Sequence, residues 1–432
     1  MNCHFWITAK IFVVVILTVL ISQYIVFSML PFSIHEAKAV KDKTPLSSSL
    51  HAPSLMQSNT ISPSTPTQSS NGSPSSCINY DPSTRTITVS CSSARLTDID
   101  NKLHDGNILT KQSPNGEWFL SANLLIAKGA TFHIDSTDAR WLKIGSSPVT
   151  SGAPSSVPAN SIDVHGSLKI DSVKITSWNP ATNNYAITNG SRQEAPVGSK
   201  GVTANGYIIH LGAPRAFIKI ESDATGTTDI TNSEIAYLGY ESGSTSGFGT
   251  GGLHYFGGDG SILRGNKIHD LYFGLYSRGV GHMIIENNQV YHNTNYGLDP
   301  HSGSHDMIIR NNVVYGNGEE GVICSLNCYN IVIENNKVYH NQKSGIMLSR
   351  NVYNSLVTNN NVSDEVIGIH VSQSHDNKIF NNTISSSMNA MDLHGGSSNN
   401  RIYDNTIIKS ARGISVSSSD AAANTIYSNI IK

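Results

Sequence analysis

Asparagine and glycine recur in the C-terminal half of this chain at a nearly constant interval. Asparagine follows a short apolar run at eight positions spaced 22 to 24 residues apart: Asn266, Asn288, Asn312, Asn336, Asn360, Asn382, Asn405 and Asn429. A second column runs in step through Gly274, Gly297, Gly321, Gly345, Gly368, Ala390 and Gly413. A repeat this short, rich in strand-forming residues and without helical periodicity, predicts a β-solenoid. Leucine-rich repeats have a similar period, but their leucine spacing and their helix are absent from the sequence.

The two columns also indicate how successive rungs contact each other. Stacked strands lie about 4.8 Å apart, so asparagines at equivalent turns can form an internal amide ladder. Glycine is expected where the backbone needs a positive φ or approaches the next rung closely. We therefore predict an all-β, right-handed, single-stranded parallel β-helix over residues 120–432, with regular repeats from about residue 255. Residues 77–119 are expected to form an N-terminal cap with a hairpin, because solenoid ends need a polar outer face.

The N-terminal region has the composition of a targeting segment followed by a stalk. Residues 11–32 are almost all apolar and are long enough to span a bilayer, which favours a membrane anchor within residues 1–40. A cleaved signal is the alternative, because Ala37-Lys38-Ala39 resembles a cleavage site. Residues 41–76 are rich in Ser, Pro and Thr and predict a disordered stalk. We expect a domain on the cell surface or secreted, attached to the membrane by its N-terminal segment.

Charge and cysteine content exclude some classes of partner. The formal net charge is -2 and only 14% of residues are charged, which argues against nucleic-acid binding. Cys77 and Cys91 flank a predicted strand, Asp-Pro turn and strand, so we expect a disulfide across this hairpin. Cys324 and Cys328 do not have the spacing of a zinc site, and Cys324 is expected to be a buried thiol.

The glycine column predicts which side chains face outward. The residue after each glycine is apolar and should point into the core, so the second and fourth residues should point outward. The second positions are Tyr276, Asp299, Ile323, Met347, His370, Asp392 and Ser415. The fourth positions are Arg278, His301, Ser325, Ser349, Ser372, His394 and Ser417.

This register predicts a polar cluster on one face of the solenoid. Arg278 should lie one rung from His301, and Tyr276 one rung from Asp299. Further residues expected on this face are Tyr296, Glu320, Lys343 and Arg350, with Tyr276, Glu320 and Ser325 as an additional subsite. Each residue taken singly also fits a solvated surface, and it is the clustering that indicates a site.

A second group on the same face lies three to four rungs further along. It consists of His370, Asp392 and His394, roughly 15–20 Å from the first cluster at the strand spacing of a sheet. A second subsite, a metal site and plain solvated surface are all compatible with it. Plain surface is the interpretation that the sequence favours, so we predict no metal site.

The segment Tyr296-Gly297-Leu298-Asp299-Pro300-His301 resembles the YG-hydrophobic-DPH motif of mannuronan C5-epimerases. The similarity covers roughly residues 200–400, including SEIAYLGY at 233–240 and GIMLSRNVYNS at 345–355. Members of that family are right-handed parallel β-helices that invert C5 of mannuronate in alginate. The resemblance implies that His301 is the catalytic base, Tyr296 the proton partner and Asp299 the motif carboxylate.

The resemblance also implies a cation for the substrate carboxylate, with Arg278, Lys343 and Arg350 as candidates. Periplasmic members continue the motif as DPHD, whereas Ser302 follows His301 here. Their next rung carries Ser-Arg, whereas this chain has Ser325-Leu326 and then Ser349-Arg350 one rung later. These departures leave the carboxylate-binding residue and the exact uronate open.

The sequence therefore predicts a monomeric, extracytoplasmic enzyme acting on an anionic polysaccharide, most simply a C5-epimerase of uronate residues. A uronate lyase shares the same first step, so it remains an alternative. A non-catalytic solenoid of the carbohydrate-binding or periplasmic copper-binding type is another, because a fold alone does not imply catalysis. We expect no cofactor, although calcium could help to hold the polyanion.

Overall fold

The computed structural model describes residues 77–146, 159–188, 191–194, 207–210, 213–242, 250–416 and 423–432. These residues all belong to one compact unit, Ser69–Lys432. The predicted anchor (1–40) and stalk (41–76) lie outside the described residues. In the part that is described, no helix has the length and apolar character needed to cross a membrane.

Most of the described chain forms three long sheets of stacked strands, which we call sheets A, B and C. Sheet A contains β1 (Ile78–Asp81), β2 (Thr86–Val89), β5 (Asn123–Ile126), β8 (Ser161–Val164), β14 (Phe217–Ile220), β17 (Gly252–Tyr255), β20 (Phe273–Arg278), β23 (Leu298–His301), β26 (Val322–Ser325), β29 (Ser344–Ser349), β32 (Ile367–Ser372), β35 (Asn389–His394) and β38 (Arg412–Val416).

Sheet B contains β6 (Thr131–Asp135), β9 (Ser167–Asp171), β15 (Thr228–Thr231), β18 (Ile262–Arg264), β21 (Ile284–Glu286), β24 (Ile308–Arg310), β27 (Val332–Glu334), β30 (Leu356–Thr358), β33 (Lys378–Phe380), β36 (Arg401–Tyr403) and β39 (Thr425–Tyr427). Sheet C contains β3 (Leu109–Ser113), β4 (Glu117–Leu120), β7 (Trp141–Gly145), β10 (Lys174–Asn179), β11 (Asn184–Tyr185), β16 (Glu234–Ala236), β19 (Lys267–His269), β22 (Gln289–Tyr291), β25 (Val313–Tyr315), β28 (Lys337–Tyr339), β31 (Asn361–Ser363), β34 (Thr383–Ser385), β37 (Thr406–Ile408) and β40 (Ile430–Ile431).

The chain passes from sheet A to B to C and returns to A one rung further along, which is the path of a parallel β-helix. Neighbouring strands within each sheet are parallel, except at the hairpins β1–β2 and β3–β4 and where β11 pairs with β10. A separate antiparallel pair, β12 (Ser191–Glu194) and β13 (Tyr207–His210), interrupts the irregular rungs. The predicted all-β solenoid is confirmed.

The predicted asparagine ladder runs through the regular rungs. From Asn266 to Asn429, each Nδ2 donates to the Oδ1 of the next asparagine at 2.9–3.0 Å. A second ladder, which the sequence analysis missed, connects Asn293, Asn317 and Asn341 and ends on Glu365. These bonds satisfy buried amides inside the turns, where an unpaired polar group would be costly.

The glycine column is explained by close backbone approach between rungs. A Cβ on Gly274 would lie 2.3 Å from the carbonyl oxygen of Gly297, and one on Gly297 would lie 2.5 Å from that of Gly321. Neither glycine has a positive φ, so of the two predicted reasons close approach is the one that applies here.

The N-terminal end differs from the prediction in one element. The expected hairpin forms from β1 and β2, and a disulfide joins Cys77 to Cys91. The helix α1 (Leu96–Leu103) follows it and was not predicted; its Leu96 and Ile99 are buried. Cys324 is a buried free thiol, as expected, and so is Cys328.

Candidate functional site

The candidate site lies on the outer face of sheet A, where β20 and β23 pair in register. Leu275 pairs with Leu298, Tyr276 with Asp299 and Arg278 with His301. Both leucines are fully buried in the solenoid core, so the alternating residues point to the other face of the sheet. The predicted inter-rung pairs are therefore confirmed.

Tyr276 and Asp299 point away from the solenoid core, as predicted, but this part of the outer face is covered. Each of the two residues is only 1% exposed. Rings of His254 and Phe273 lie 5.1 and 6.0 Å from the Tyr276 ring, and Phe256 lies 6.3 Å from it. His254 and Phe256 come from the preceding rung, at β17, whereas Phe273 lies on the same strand as Tyr276; these rings form the wall of a recess. The strand register alone could not reveal that cover.

His301 lies at the edge of this recess with its two ring nitrogens in different contacts. Nδ1 is 2.5 Å from Oγ of Ser302, and Nε2 is 3.1 Å from Nη2 of Arg350. An arginine can only donate, so Nε2 is the acceptor and Nδ1 carries the proton that is donated to Ser302. Burial, together with the positive charges of Arg350 and Arg278, lowers the pKa of His301 to about 4. The imidazole is therefore neutral near pH 7.

Arg350 reaches His301 from two rungs away. In sheet A, His301 pairs with Ser325, and Ser325 pairs with Ser349. Nε of Arg350 donates to Oγ of the fully buried Ser325 at 3.1 Å, which directs the guanidinium across the intervening rung. This arginine comes one rung later than in the motif that the sequence resembles. Its long side chain spans the extra rung and reaches His301.

Two buried carboxyl groups lie near this pair. Burial raises the pKa of Asp299 well above its usual value, and Glu320 raises it further while Arg350 opposes the shift. Its Oδ1 is buried and makes no hydrogen bond to any described residue. Burial also raises the pKa of Glu320 to about 7, although Lys343 opposes that shift. Burial therefore favours the protonated form of Asp299, and Glu320 is partly neutral near pH 7.

Tyr296 is half-buried beside the same recess. Its ring stacks on Phe273 with centroids 5.6 Å apart. Burial raises the pKa of Tyr296 far above its usual value, and the carboxyl groups of Asp299 and Glu320 add to this shift. The phenol therefore keeps its proton and can act as a proton donor, not as a base.

The three predicted cations do not converge on one point. Arg350 contacts His301, whereas Nζ of Lys343 lies 2.5 Å from Oε2 of Glu319. Arg278 is exposed and borders a cavity of about 460 Å³ next to Ser302. That cavity is also lined by Lys219, Glu221, Ser222, Phe256 and Gly279.

Sequence reasoning missed Lys219, Glu221 and the rings of His254 and Phe256 because they precede the first residue of the glycine column, Gly274. The repeat register begins too late to place them. Strand β14, however, alternates apolar and polar residues, and Lys219 pairs with His254 in the sheet. The alternation of apolar and polar residues in β14 could have predicted that Lys219 points outward.

Two groups of described residues have the donor sets of metal sites. In each, one ligand atom per residue lies within 4.8 Å of the others. The first comprises His282, His305 and Asp306, and the second comprises His370, Asp392 and His394.

Comparisons with known proteins agree with the architecture. Residues 224–396 match the family described as periplasmic copper-binding protein (NosD). The crystal structure of the periplasmic alginate epimerase AlgG is similar, with a TM-score of 0.64 and 18% identity over 80% of this chain and 85% of that chain. The A-module of a mannuronan C-5 epimerase from Azotobacter vinelandii has a TM-score of 0.49 and 16% identity over 74% of this chain and 89% of that chain. No curated protein sequence matches the chain significantly.

The class of protein follows from these findings. The chain is a right-handed parallel β-helix that resembles alginate epimerases at low identity, and its residues 224–396 match the NosD family. Its disulfide is typical of an oxidising compartment outside the cytoplasm.

Proposed function

We propose that this protein is an extracytoplasmic polysaccharide-modifying enzyme, and specifically a C5-epimerase of uronate residues within a polymer. The observation that supports the proposal most strongly is the pairing of His301 with Arg350. A neutral imidazole and a guanidinium lie 3.1 Å apart, and burial raises the pKa of the two nearby carboxyl groups, Asp299 and Glu320. That combination suits removal of a proton next to a carboxylate.

The reaction assigns a role to each member of the pair. The C5–H bond breaks, its proton goes to Nε2 of His301 and its electron pair moves into the substrate carboxylate as an enediolate. Arg350 neutralises the charge that develops on the carboxylate oxygens, which is where fixed cations contribute most. Binding of that carboxylate would draw the guanidinium away from Nε2, so that the lone pair of the base becomes available with the substrate.

The remaining groups serve the second half of the reaction. Tyr296 or a water molecule delivers a proton to the opposite face of C5, which inverts the centre. Solvent then returns a proton to Tyr296 and removes the one on His301. Burial raises the pKa of Asp299, and in its protonated form this residue donates a hydrogen bond to the enediolate or to a sugar hydroxyl without repelling the polyanion.

We propose that the sugar residues on either side of the reacting uronate bind along the outer face of sheet A. Arg278 and Lys219 border the cavity beside Ser302 and supply positive charge there. Lys343 is bound to Glu319 and is farther from the proposed base, so we assign it to the adjoining part of the chain and not to the reacting carboxylate. For the additional subsite of Tyr276, Glu320 and Ser325 we propose a supporting role beside the reacting residue, because Ser325 binds the guanidinium of Arg350.

Lyase chemistry starts from the same enediolate and diverges only afterwards. If the bond from C4 to its oxygen breaks before reprotonation, the product has an unsaturated end. The test is therefore incubation of uronate polymers, including mannuronan, in deuterated water, followed by proton NMR. Deuterium at C5 with inverted configuration is the expected result, and unsaturated ends would identify a lyase. Polymer binding without either product would exclude catalysis and favour a carbohydrate-binding solenoid.

We also propose that residues 11–32 attach the catalytic unit to the outside of the cytoplasmic membrane. Their apolar length and the disulfide between Cys77 and Cys91 support this location. Protease added to intact cells should degrade the solenoid. A solenoid that is cleaved only after lysis would contradict the proposal.

A further inference from the structure

The group His370, Asp392 and His394 is assembled by the pairing of two strands of sheet A. Strands β32 and β35 are parallel, with His370 opposite Asp392 and Ser372 opposite His394. Asp392 and His394 are two residues apart on β35, so their side chains leave the same face of the sheet. Three side chains with metal-binding atoms therefore meet on the outer surface of two neighbouring rungs.

The atoms that face each other are the ones that would bind a metal ion. Nε2 of His370 lies 2.8 Å from Nδ1 of His394. Oδ2 of Asp392 lies 3.8 Å from the first nitrogen and 3.6 Å from the second. Ligand atoms about 2.0–2.2 Å from a tetrahedral Zn²⁺ are about 3.3–3.5 Å from each other. The observed triangle therefore requires only small side-chain movements to close around an ion.

A serine hydroxyl also lies within hydrogen-bond distance of each of the three side chains, at an atom that faces away from the proposed ion. Oγ of Ser372 is 3.3 Å from Nε2 of His394, and Oγ of Ser344 is 3.5 Å from Nδ1 of His370. Oγ of Ser415 donates to Oδ1 of Asp392 at 2.9 Å. Metal-binding histidines usually donate the hydrogen of their far nitrogen to such a partner, which leaves the near nitrogen unprotonated for the ion.

The other group with a metal-type donor set lacks this arrangement. In that group, Oδ2 of Asp306 accepts from Nδ1 of His305 at 2.8 Å, and its Oδ1 accepts from Asn330 at 2.9 Å. The His305 ring also stacks on Tyr329 with centroids 4.9 Å apart. At His370 and His394 an ion would replace the contact between their two facing nitrogens, whereas here it would have to displace all of these contacts. The group of His282, His305 and Asp306 therefore serves as a matched control.

We infer that His370, Asp392 and His394 bind one divalent first-row transition ion, such as Zn²⁺, through two imidazole nitrogens and one carboxylate oxygen. Three protein ligands leave at least one coordination position for water or another small ligand. The side chain of His394 is 41% exposed, against 11% for His370 and 14% for Asp392, so the site opens to solvent beside His394. The sequence alone had favoured plain surface here.

The inference does not rest on the proposed epimerase activity. The site is on the same sheet as His301, and the register runs from His301 through Ser325, Ser349 and Ser372 to His394. Four strand spacings separate the two histidines, or about 19 Å. The ion is therefore too distant to contact a substrate carbon held at His301.

The test is calorimetric titration of the full chain, free of affinity tags and stripped with a chelator, with Zn²⁺. We expect one ion per chain that is lost or weakened at least about 100-fold in His370→Ala, Asp392→Ala and His394→Ala. Ser415→Ala should weaken binding about 10-fold, in line with loss of an outer-shell partner. His305→Ala should bind like the unmodified protein.

A spectroscopic measurement separates this site from adventitious surface binding. Co²⁺ bound in place of Zn²⁺ should give visible absorption bands of a low-coordinate site, and these should disappear in His394→Ala. The inference is overturned if the unmodified protein does not bind Zn²⁺ at micromolar concentration. It is equally overturned if either His370→Ala or His394→Ala, shown by circular dichroism to be folded, keeps the original affinity.

Discussion

Arg350 and His301 are 49 residues apart in the chain, yet Nη2 of the arginine lies 3.1 Å from Nε2 of the histidine. The buried hydroxyl of Ser325 lies between their rungs and also binds the guanidinium. This contact lowers the affinity of the imidazole for a proton and places a cation where a substrate carboxylate would lie. The following predictions start from that relationship.

Replacing Arg350 should affect the chemical step more than binding of the polymer. In Arg350→Ala we expect kcat to fall roughly 10²- to 10³-fold, as for the loss of one fixed group that stabilises developing charge. Arg350→Lys should recover part of the rate. Arg310→Ala is the control, because Arg310 is bonded to Glu286 on sheet B. Steady-state kinetics that show equal losses in Arg350→Ala and Arg310→Ala would contradict the assignment.

The pH profile of the reaction should reflect the lowered pKa of His301. The base is active when unprotonated, so kcat/KM for the free enzyme should fall as pH drops through about 4, not through the usual 6.5. In Arg350→Ala the acidic limb should move to higher pH, because a positive charge that opposes protonation is gone. An acidic limb that stays in place in this variant would contradict the role of Arg350.

The same shift makes stability depend on pH. The pKa of His301 is lower in the folded than in the unfolded state, so the unfolded chain binds more protons between about pH 4 and 6.5. The contribution of this residue is therefore fully present above pH 6.5 and is lost as pH falls towards 4. Urea unfolding of His301→Gln should show a shallower decline over this window than the unmodified protein.

Breaking the asparagine ladder should destabilise the solenoid without touching the site. Asn312 donates to Asn336 and Ile285 and accepts from Asn288, so Asn312→Ala leaves several buried groups unpaired. We expect a loss of about 1–3 kcal/mol, or more if several groups remain unpaired. Asn361→Ala, at an exposed strand position, should change the free energy of unfolding by less than about 0.5 kcal/mol. Equal effects in chemical denaturation would refute the ladder's role.

The glycine column should be intolerant of a single methyl group. A Cβ on Gly297 would lie 2.5 Å from the Gly321 carbonyl oxygen and 2.9 Å from Nδ2 of Asn317. Gly297→Ala should cost about 1–3 kcal/mol by overpacking and reduce activity, because it shifts Tyr296 and Leu298. Gly106→Ala meets its nearest atom at 3.5 Å and is the control. A Gly297→Ala protein with unchanged melting temperature would contradict the close-approach explanation.

Much of the regular solenoid followed from the sequence because every rung repeats the same constraint. Asparagine recurs at eight equivalent turns, and glycine at six of the seven positions of its column, so each column repeats one geometry many times. The register likewise predicts Arg278 beside His301, and the strand pairing confirms it. Helix α1 was missed because it occurs once, in the cap, outside the repeat.

The burial of the site residues could not be predicted from the repeat. The cover of Tyr276 includes the rings of His254 and Phe256, which precede the repeat columns. The reach of Arg350 depends on side-chain length and on Ser325, whereas the register fixes only where its backbone lies. The raised pKa values of Asp299 and Glu320 result mainly from burial. The sequence therefore could not predict them.

The measurement that tests the account most directly is incorporation of solvent deuterium at C5 of a uronate polymer, followed by proton NMR, in His301→Ala. The matched control is His133→Ala, which removes a half-buried histidine from β6 of sheet B. We predict that His301→Ala lowers the exchange rate at least about 10²- to 10⁴-fold, as expected for loss of a general base. His133→Ala should exchange at the original rate. Unchanged C5 exchange in a folded His301→Ala protein would show that His301 is not the base.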